Sequence, residues 1–325
     1  METFIIAEAG ANHNRDFTQA LKLIDVAKES GANAVKFQTY SSETLYSKNT
    51  PDFAGYKNIN QLIKDIELPR EWQKSLKQYC DEQDIEFMST PFDEKAVDEL
   101  VDLGVKRLKI AGFESTDPRF VEKVASTGLP IIMSIGIGFK RNYWGLYIDI
   151  FEKYNNDVTL LHCNNAYPTP PEDAFLDTIK SLQSLKSVNS IGFSDHTMSP
   201  YTPSLAVAAG ATVIEKHFTL DRNLPGPDHP FALEPHELNI MVEQIRYAEK
   251  CKGSKSGFST SEKEFKTAMR SIVAKKPIKK GEIFTIDNLT TKRPFLEGNV
   301  AALDWGHTLG KTSNRDYNID DFIKC

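Results

Sequence analysis

Charged and polar side chains recur at one kind of place in this sequence, the carboxyl end of short apolar runs. Glu8 closes Phe4–Glu8, Lys36 and Gln38 close Ala34–Thr39, and Thr90 closes Glu86–Thr90. Lys109 lies in Arg107–Ala111, Ser134 closes Pro130–Ile135, and Asn165 and Tyr167 follow Val158–Cys163. Ser194 and His196 close Ser190–His196, and Glu215 and His217 close Thr212–Phe218. Side chains alternate along a strand, so Lys36 and Gln38 share a face, as do Ser194 and His196, and Glu215 and His217. Two lysines on one face repel unless an anion lies between them, and a phosphate or carboxylate substrate supplies one. The hydroxyl and amide groups of Thr90, Ser134, Asn165 and Ser194 add neutral donors for it. His196 and His217, at matching depth on strands about 4.8 Å apart, suit one divalent ion. Two imidazoles completed by oxygen ligands or water favour Mn2+, with Mg2+ or Co2+ as alternatives. The plainer readings are a hydrogen-bonded pair of core histidines and rim lysines in solvent, but eight separate coincidences at one end of eight runs favour a single site.

The runs themselves are short and rich in β-branched residues, and helical patterns separate them. The spacing predicts helices over Asp16–Ser30, Arg70–Gln83, Asp93–Leu103, Pro118–Ser126, Tyr143–Tyr154, Ala174–Leu185, Pro200–Ala209 and Pro235–Cys251. Glycine follows several of them, at Gly31, Gly104, Gly128 and Gly210, as left-handed helix caps require. Eight strands alternating with eight helices predict an α/β fold, a (β/α)8 TIM barrel, whose active site lies at the carboxyl ends of its strands. A doubly wound sheet is the rival, but no glycine-rich dinucleotide loop follows Phe4–Glu8. Segment Ser41–Pro69 reads as an insertion, a loop or lid beside the second strand. The barrel spans 1–251 and a Gly- and Ser-rich linker 252–270. A small, mostly β module fills 271–325, with strands at Ser271–Ala274 and Ile283–Thr285 about a turn at Lys279–Glu282.

Bulk composition excludes several classes. The chain has 325 residues, 45 acidic and 39 basic, for a net charge of −6. That balance argues against nucleic acid as a partner. No apolar run reaches the roughly 18 residues a membrane span needs. The start of the chain lacks the basic and apolar segments of a signal peptide. Cys80, Cys163, Cys251 and Cys325 show neither metal nor disulfide spacing. A reduced, cytoplasmic protein is the expectation.

Longer stretches carry a family resemblance. Ile6-Ala7-Glu8-Ala9-Gly10-Ala11-Asn12-His13-Asn14, Val35-Lys36-Phe37-Gln38-Thr39, Met88-Ser89-Thr90-Pro91-Phe92, Phe193-Ser194-Asp195-His196-Thr197 and Ile214-Glu215-Lys216-His217-Phe218 resemble the sialic acid synthase family. So do Leu161-His162-Cys163 with Tyr167-Pro168, and Pro225-Gly226-Pro227-Asp228. Ser271–Ala274, Ile278–Glu282 and Thr291–Pro294 resemble the family's C-terminal antifreeze-like (SAF) domain. The resemblance implies condensation of phosphoenolpyruvate with the open-chain aldehyde of an N-acylated amino sugar. The acceptor would be N-acetylmannosamine or a 2,4-diacylamino-6-deoxy hexose, and the products a nonulosonic acid and phosphate. It implies that Lys36, Thr90, Lys109, Ser134, Asn165 and Ser194 hold phosphoenolpyruvate and that His196 and His217 hold the metal. Glu8, Gln38, Tyr167 and Asp228 would lie near the sugar, and Glu8 or Glu215 would handle the proton. The family's domain-swapped homodimer implies that Arg293 reaches the sugar's acyl group in the partner subunit's site.

The chain departs from the family at Gly112, where a phosphate-contacting serine is usual, at Ile135 in Ser134-Ile135-Gly136, and at Arg15. Phe113 is similar to pseudaminic acid synthases, while Pro225–Asp228 is similar to the sialic and legionaminic branch. Two readings from other classes compete. One is a class I aldolase using Lys36 or Lys109 as a Schiff base. The other is a non-catalytic sugar-binding homologue.

Overall fold

A computed structural model describes residues 2–52, 57–139, 143–154 and 156–324. Cys325 and the centre of the 41–69 insertion, residues 53–56, lie outside the described residues. The chain divides into two compact units, Met1–Lys252 and Gly253–Cys325.

In the first unit the apolar runs form eight parallel strands. They are β1 (Phe4–Gly10), β2 (Ala34–Thr39), β3 (Glu86–Pro91), β4 (Leu108–Ile110), β5 (Ile131–Ile135), β6 (Val158–Cys163), β7 (Ser190–Asp195) and β8 (Val213–His217). Their order is β3-β2-β1-β8-β7-β6-β5-β4, and β3 and β4 lie side by side without a ladder between them. This is a TIM-like barrel, closed except at that seam. Helix α1 (Phe17–Glu29) follows β1, and α2 (Ile59–Ile66) and α3 (Gln73–Glu82) follow β2. One helix follows each later strand: α4 (Glu94–Asp102), α5 (Pro118–Ala125), α6 (Trp144–Tyr154), α7 (Asp177–Leu182), α8 (Thr202–Ala209) and α9 (Pro235–Cys251).

Local sequence explains the boundaries. The Asp16 carboxylate accepts the backbone N–H groups of Thr18 and Gln19 and starts α1. Pro235 and a capping box between Glu234 and Glu237 start α9. The insertion is not all loop. Asn58 accepts from the Gln61 N–H at the start of α2, whose Ile59 and Ile63 pack with Tyr40.

Strand parity divides the core. Ile6, Ala34, Met88, Ile132, Leu161 and Val213 form an apolar layer inside the barrel. Their odd-numbered or even-numbered neighbours, such as Ile5, Val35, Phe87, Ile131, Leu160 and Ile214, face outward into the larger core between strands and helices. Two residues beyond the inner layer, on the same face, stand Glu8, Lys36, Thr90, Ser134, Cys163 and Glu215. The polar site is therefore the next layer of the barrel interior, at the carboxyl ends of the strands.

In the second unit, β9 (Ser271–Ala274) pairs antiparallel with β10 (Leu289–Lys292), Leu289 opposite Ala274. Ile283–Thr285 is not the second strand that its composition predicts; Ile283 makes only an isolated bridge to Thr312. Ile272, Ile278, Phe284, Leu289, Tyr317 and Ile323 fill the small core. Within the stretch read as linker, Thr260–Ala268 is a 3-10 helix with its own capping box.

Candidate active site

Four buried charges form the floor of the barrel mouth. Lys36 Nζ lies 2.7 Å from Glu8 Oε2 and 3.6 Å from Glu215 Oε2, and Lys109 Nζ lies 3.5 Å from Glu215 Oε1. All four side chains are nine-tenths or more buried. The two lysines therefore do not wait for a substrate anion, as their spacing in sequence suggests; Glu215 already stands between them. Sequence cannot show this, because Glu215 reaches both lysines across the barrel. Hydroxyl groups complete the cluster. Lys36 donates to Thr90 Oγ1 at 2.8 Å, Lys109 to Ser134 Oγ at 2.8 Å, and Ser194 to Glu215 Oε1 at 2.8 Å. The Gln38 amide donates to Glu8 Oε1 at 2.9 Å.

Burial and charge divide the two glutamates. Burial drives the Glu8 carboxyl up to about 7, against the pull of Lys36. Burial acts on Glu215 too, but the Lys109 and Lys36 ammonium groups outweigh it and bring that carboxyl down to about 2. Burial opposes the charge of Lys36, yet Glu215 and Glu8 leave it above its ordinary value. Lys109 is lowered by burial, with Glu215 partly offsetting the effect.

His196 and His217 lie beside this cluster with ring centroids 5.4 Å apart. His196 Nδ1 is 2.6 Å from the Asn164 carbonyl oxygen, which holds a proton on Nδ1 and leaves the Nε2 lone pair outward. His217 Nδ1 is buried without a hydrogen-bond partner. Burial, with His196 and Lys36 nearby, pushes the His217 imidazole well below its ordinary pKa, and burial brings His196 to about 4. Both rings are neutral, as metal ligands must be. Among the described residues no third His, Cys, Asp or Glu joins them in a ready-made metal cluster. The pair fits a divalent ion whose other positions go to water or substrate oxygen.

The remaining predicted residues line the rim. The Tyr167 ring stands 4.1 Å from His196 and 6.0 Å from His217. Asp228 Oδ2 lies 3.9 Å from His217 Nδ1 and accepts the Ala11 N–H at 3.4 Å. A Cβ at Gly10 would meet that oxygen at 2.8 Å, and Gly10 has φ +50°, so glycine is needed there. Asn165 is seated between two glycines. A Cβ at Gly112 would meet its Nδ2 at 2.6 Å, and one at Gly136 would meet its Oδ1 at 2.7 Å and the Cys163 carbonyl oxygen at 2.2 Å. The Ile137 N–H donates to Asn165 Oδ1 at 3.1 Å, which leaves Nδ2 as the free donor. The tract Gly136-Ile137-Gly138, uninformative in sequence, is thus the seat of that amide. Arg293 belongs to the C-terminal unit, in an exposed stretch after β10.

The structure so brings together every predicted barrel residue. Those that sequence reasoning missed are a backbone carbonyl and a buried pair behind the site. The Asn164 carbonyl carries no residue-type signal. Asp195 and Lys216 do carry one: two charges at the outward positions of buried strands.

A TIM-like barrel with four compensating charges and paired neutral imidazoles at the carboxyl ends of its strands has the architecture of an α/β-barrel enzyme. Comparison with known proteins places the chain further: residues 23–257 match the NeuB family and 269–324 the SAF domain. The chain belongs to the NeuB family. It is 40% identical to the N,N'-diacetyllegionaminic acid synthase of Campylobacter jejuni, over 99% of each chain. It is 34% identical to a pseudaminic acid synthase of that species, over 99% of this chain and 96% of the relative. A crystal structure of N-acetylneuraminic acid synthetase from Leptospira borgpetersenii superposes with a TM-score of 0.75 at 37% identity, covering 82% of this chain and 90% of that one. No helix among the described residues is long and apolar enough to cross a membrane.

Proposed function

We propose that this protein is a nonulosonic acid synthase that condenses phosphoenolpyruvate with the open-chain aldehyde of an N-acylated amino sugar. The observation that carries the reading is the buried Lys36–Glu8–Lys109–Glu215 cluster beside two neutral imidazoles. C3 of phosphoenolpyruvate forms the new carbon–carbon bond to the aldehyde carbon. Water adds to C2, and phosphate departs with cleavage of its C–O bond. A divalent ion, Mn2+ first, held by His196 and His217, would supply Lewis-acid polarisation of the aldehyde oxygen.

The chain's own residues do the rest. Lys36 and Lys109 hold the phosphate and carboxylate groups, with Thr90, Ser134, Ser194 and the Asn165 Nδ2 as neutral donors. Glu215, engaged by both lysines and Ser194, is their fixed counter-ion. Glu8 is engaged by one lysine and the Gln38 amide, and it is the proton-handling carboxyl. With its carboxyl held up to about 7, Glu8 can take and return a proton near neutral pH, and losing it restores the full ion pair with Lys36. Gln38, Tyr167 and Asp228 position the sugar, and Arg293 would reach it from the partner subunit of a domain-swapped homodimer.

The acceptor panel tests this. Phosphate release from phosphoenolpyruvate is measured with N-acetylmannosamine or 2,4-diacetamido-6-deoxy hexoses, with Mn2+ or with chelator. Release that needs both a sugar and the metal is the expected result. The lowered pKa of Lys109 favours the Schiff-base aldolase as second reading; borohydride trapping of a keto acid on Lys109, indifferent to chelator, would replace the synthase with it.

A further inference from the structure

Behind the site, on the outward faces of β7 and β8, lies a second ion pair. Asp195 and Lys216 are 0% and 1% exposed, with Lys216 Nζ 2.7 Å from Asp195 Oδ2. Their strand neighbours Phe193 and Ile214 belong to the apolar core between strands and helices. A charge pair in such a place is expensive, and apolar side chains of similar size usually serve stability as well or better. Stability alone therefore gives no reason for it.

Its placement does. Asp195 lies between Ser194 and His196, and Lys216 between Glu215 and His217. The two are direct partners in the β7–β8 register. The pair also fixes the turn that follows His196. Asp195 Oδ1 accepts the Thr197 N–H at 2.9 Å and Oδ2 the Thr197 hydroxyl at 3.1 Å. Lys216 donates to the Thr197 carbonyl oxygen, and its Nζ lies 3.3 Å from Thr197 Oγ1. The Thr202 hydroxyl, at the start of α8, lies 3.2 Å from Thr197 Oγ1 and can donate to it. A slip of one residue along β8 would turn His217 out of the mouth and carry the Lys216 charge into it, away from Asp195. The ion pair penalises that slip and holds the strand ends where the histidines project.

We infer that Asp195 and Lys216 are positioning residues: a buried clasp on the outside of the barrel that sets the spacing of His196 and His217, and with it affinity for the divalent ion. The inference rests on the metal-dependent reading above. Neither residue faces the barrel mouth, so neither touches substrate or metal. Their effect passes through strand register and the Thr197 turn.

The test is titration of Mn2+ alone, followed by the electron paramagnetic resonance signal of the free ion, on full-length protein. The variants are Lys216→Met and the uncharged pair Asp195→Asn/Lys216→Met, which removes both charges and keeps volume if the single variant fails to fold. Circular dichroism reports folding. The expected result is a folded double variant whose Mn2+ affinity is about tenfold or more below wild type, the range for residues that support a metal ligand. Ile245→Ala, a cavity elsewhere in the outer core, should leave the affinity unchanged. A folded double variant with wild-type affinity overturns the inference while the metal site stands. Wild-type protein that binds no Mn2+ overturns the metal reading and the inference with it. Failure of both variants to fold makes the pair a fold determinant, which also overturns the positioning role.

Discussion

Lys36→Met should lower kcat/KM for phosphoenolpyruvate by about a thousandfold, roughly 4 kcal/mol, the upper range for loss of one preorganised charged or oxyanion donor. Lys36 alone contacts both glutamates and Thr90. Methionine keeps the length of the side chain and removes the charge. Two carboxylates then face one ammonium, with all three side chains buried. Breaking a buried pair from one side costs about 3–5 kcal/mol of stability when the orphaned group stays charged. Glu8, already held up to about 7, can instead take a proton. The fold should survive, with a lowered Tm, while turnover does not. Steady-state kinetics with thermal melts check both. A variant with near-native kcat/KM would show that the lysine is structural and that phosphoenolpyruvate binds elsewhere.

His217→Ala should abolish Mn2+-dependent turnover, a loss of at least about a thousandfold, because Lewis-acid stabilisation contributes several kcal/mol. The ring is buried, neutral and partnerless at Nδ1, so its removal takes away no hydrogen bond that the fold needs. Circular dichroism should be unchanged, and the variant should not compete for Mn2+ in equilibrium dialysis. Normal activity, or activity indifferent to chelator, would remove the metal from the account and return His196 and His217 to the status of packed core histidines.

Much of this was legible in the sequence because strand parity is a strict rule. The runs at Ala34–Thr39 and Val158–Cys163 form strands over the residues they predict, and the other six differ only at their ends. Once the runs are strands, Lys36, Ser194 and Glu215 must share the inner face with Ala34 and Val213, and the site follows. Relations across the barrel were not legible. That Glu215 neutralises both lysines depends on barrel curvature, which no local pattern encodes. The seat of Asn165 depends on how closely β4, β5 and β6 approach at Gly112 and Gly136. Ile283–Thr285 misled for the opposite reason. Its residues favour strands, but the small unit uses them for one irregular bridge, and Leu289–Lys292 takes the ladder.

The most direct test of the account follows oxygen through one turnover. Phosphoenolpyruvate, an accepted amino sugar and Mn2+ react in water enriched in oxygen-18, and the phosphate is weighed by mass spectrometry. Attack of water at C2 with loss of phosphate through its C–O bond predicts phosphate without label. Labelled phosphate would mean that water attacks phosphorus, and would contradict the condensation assigned to this site.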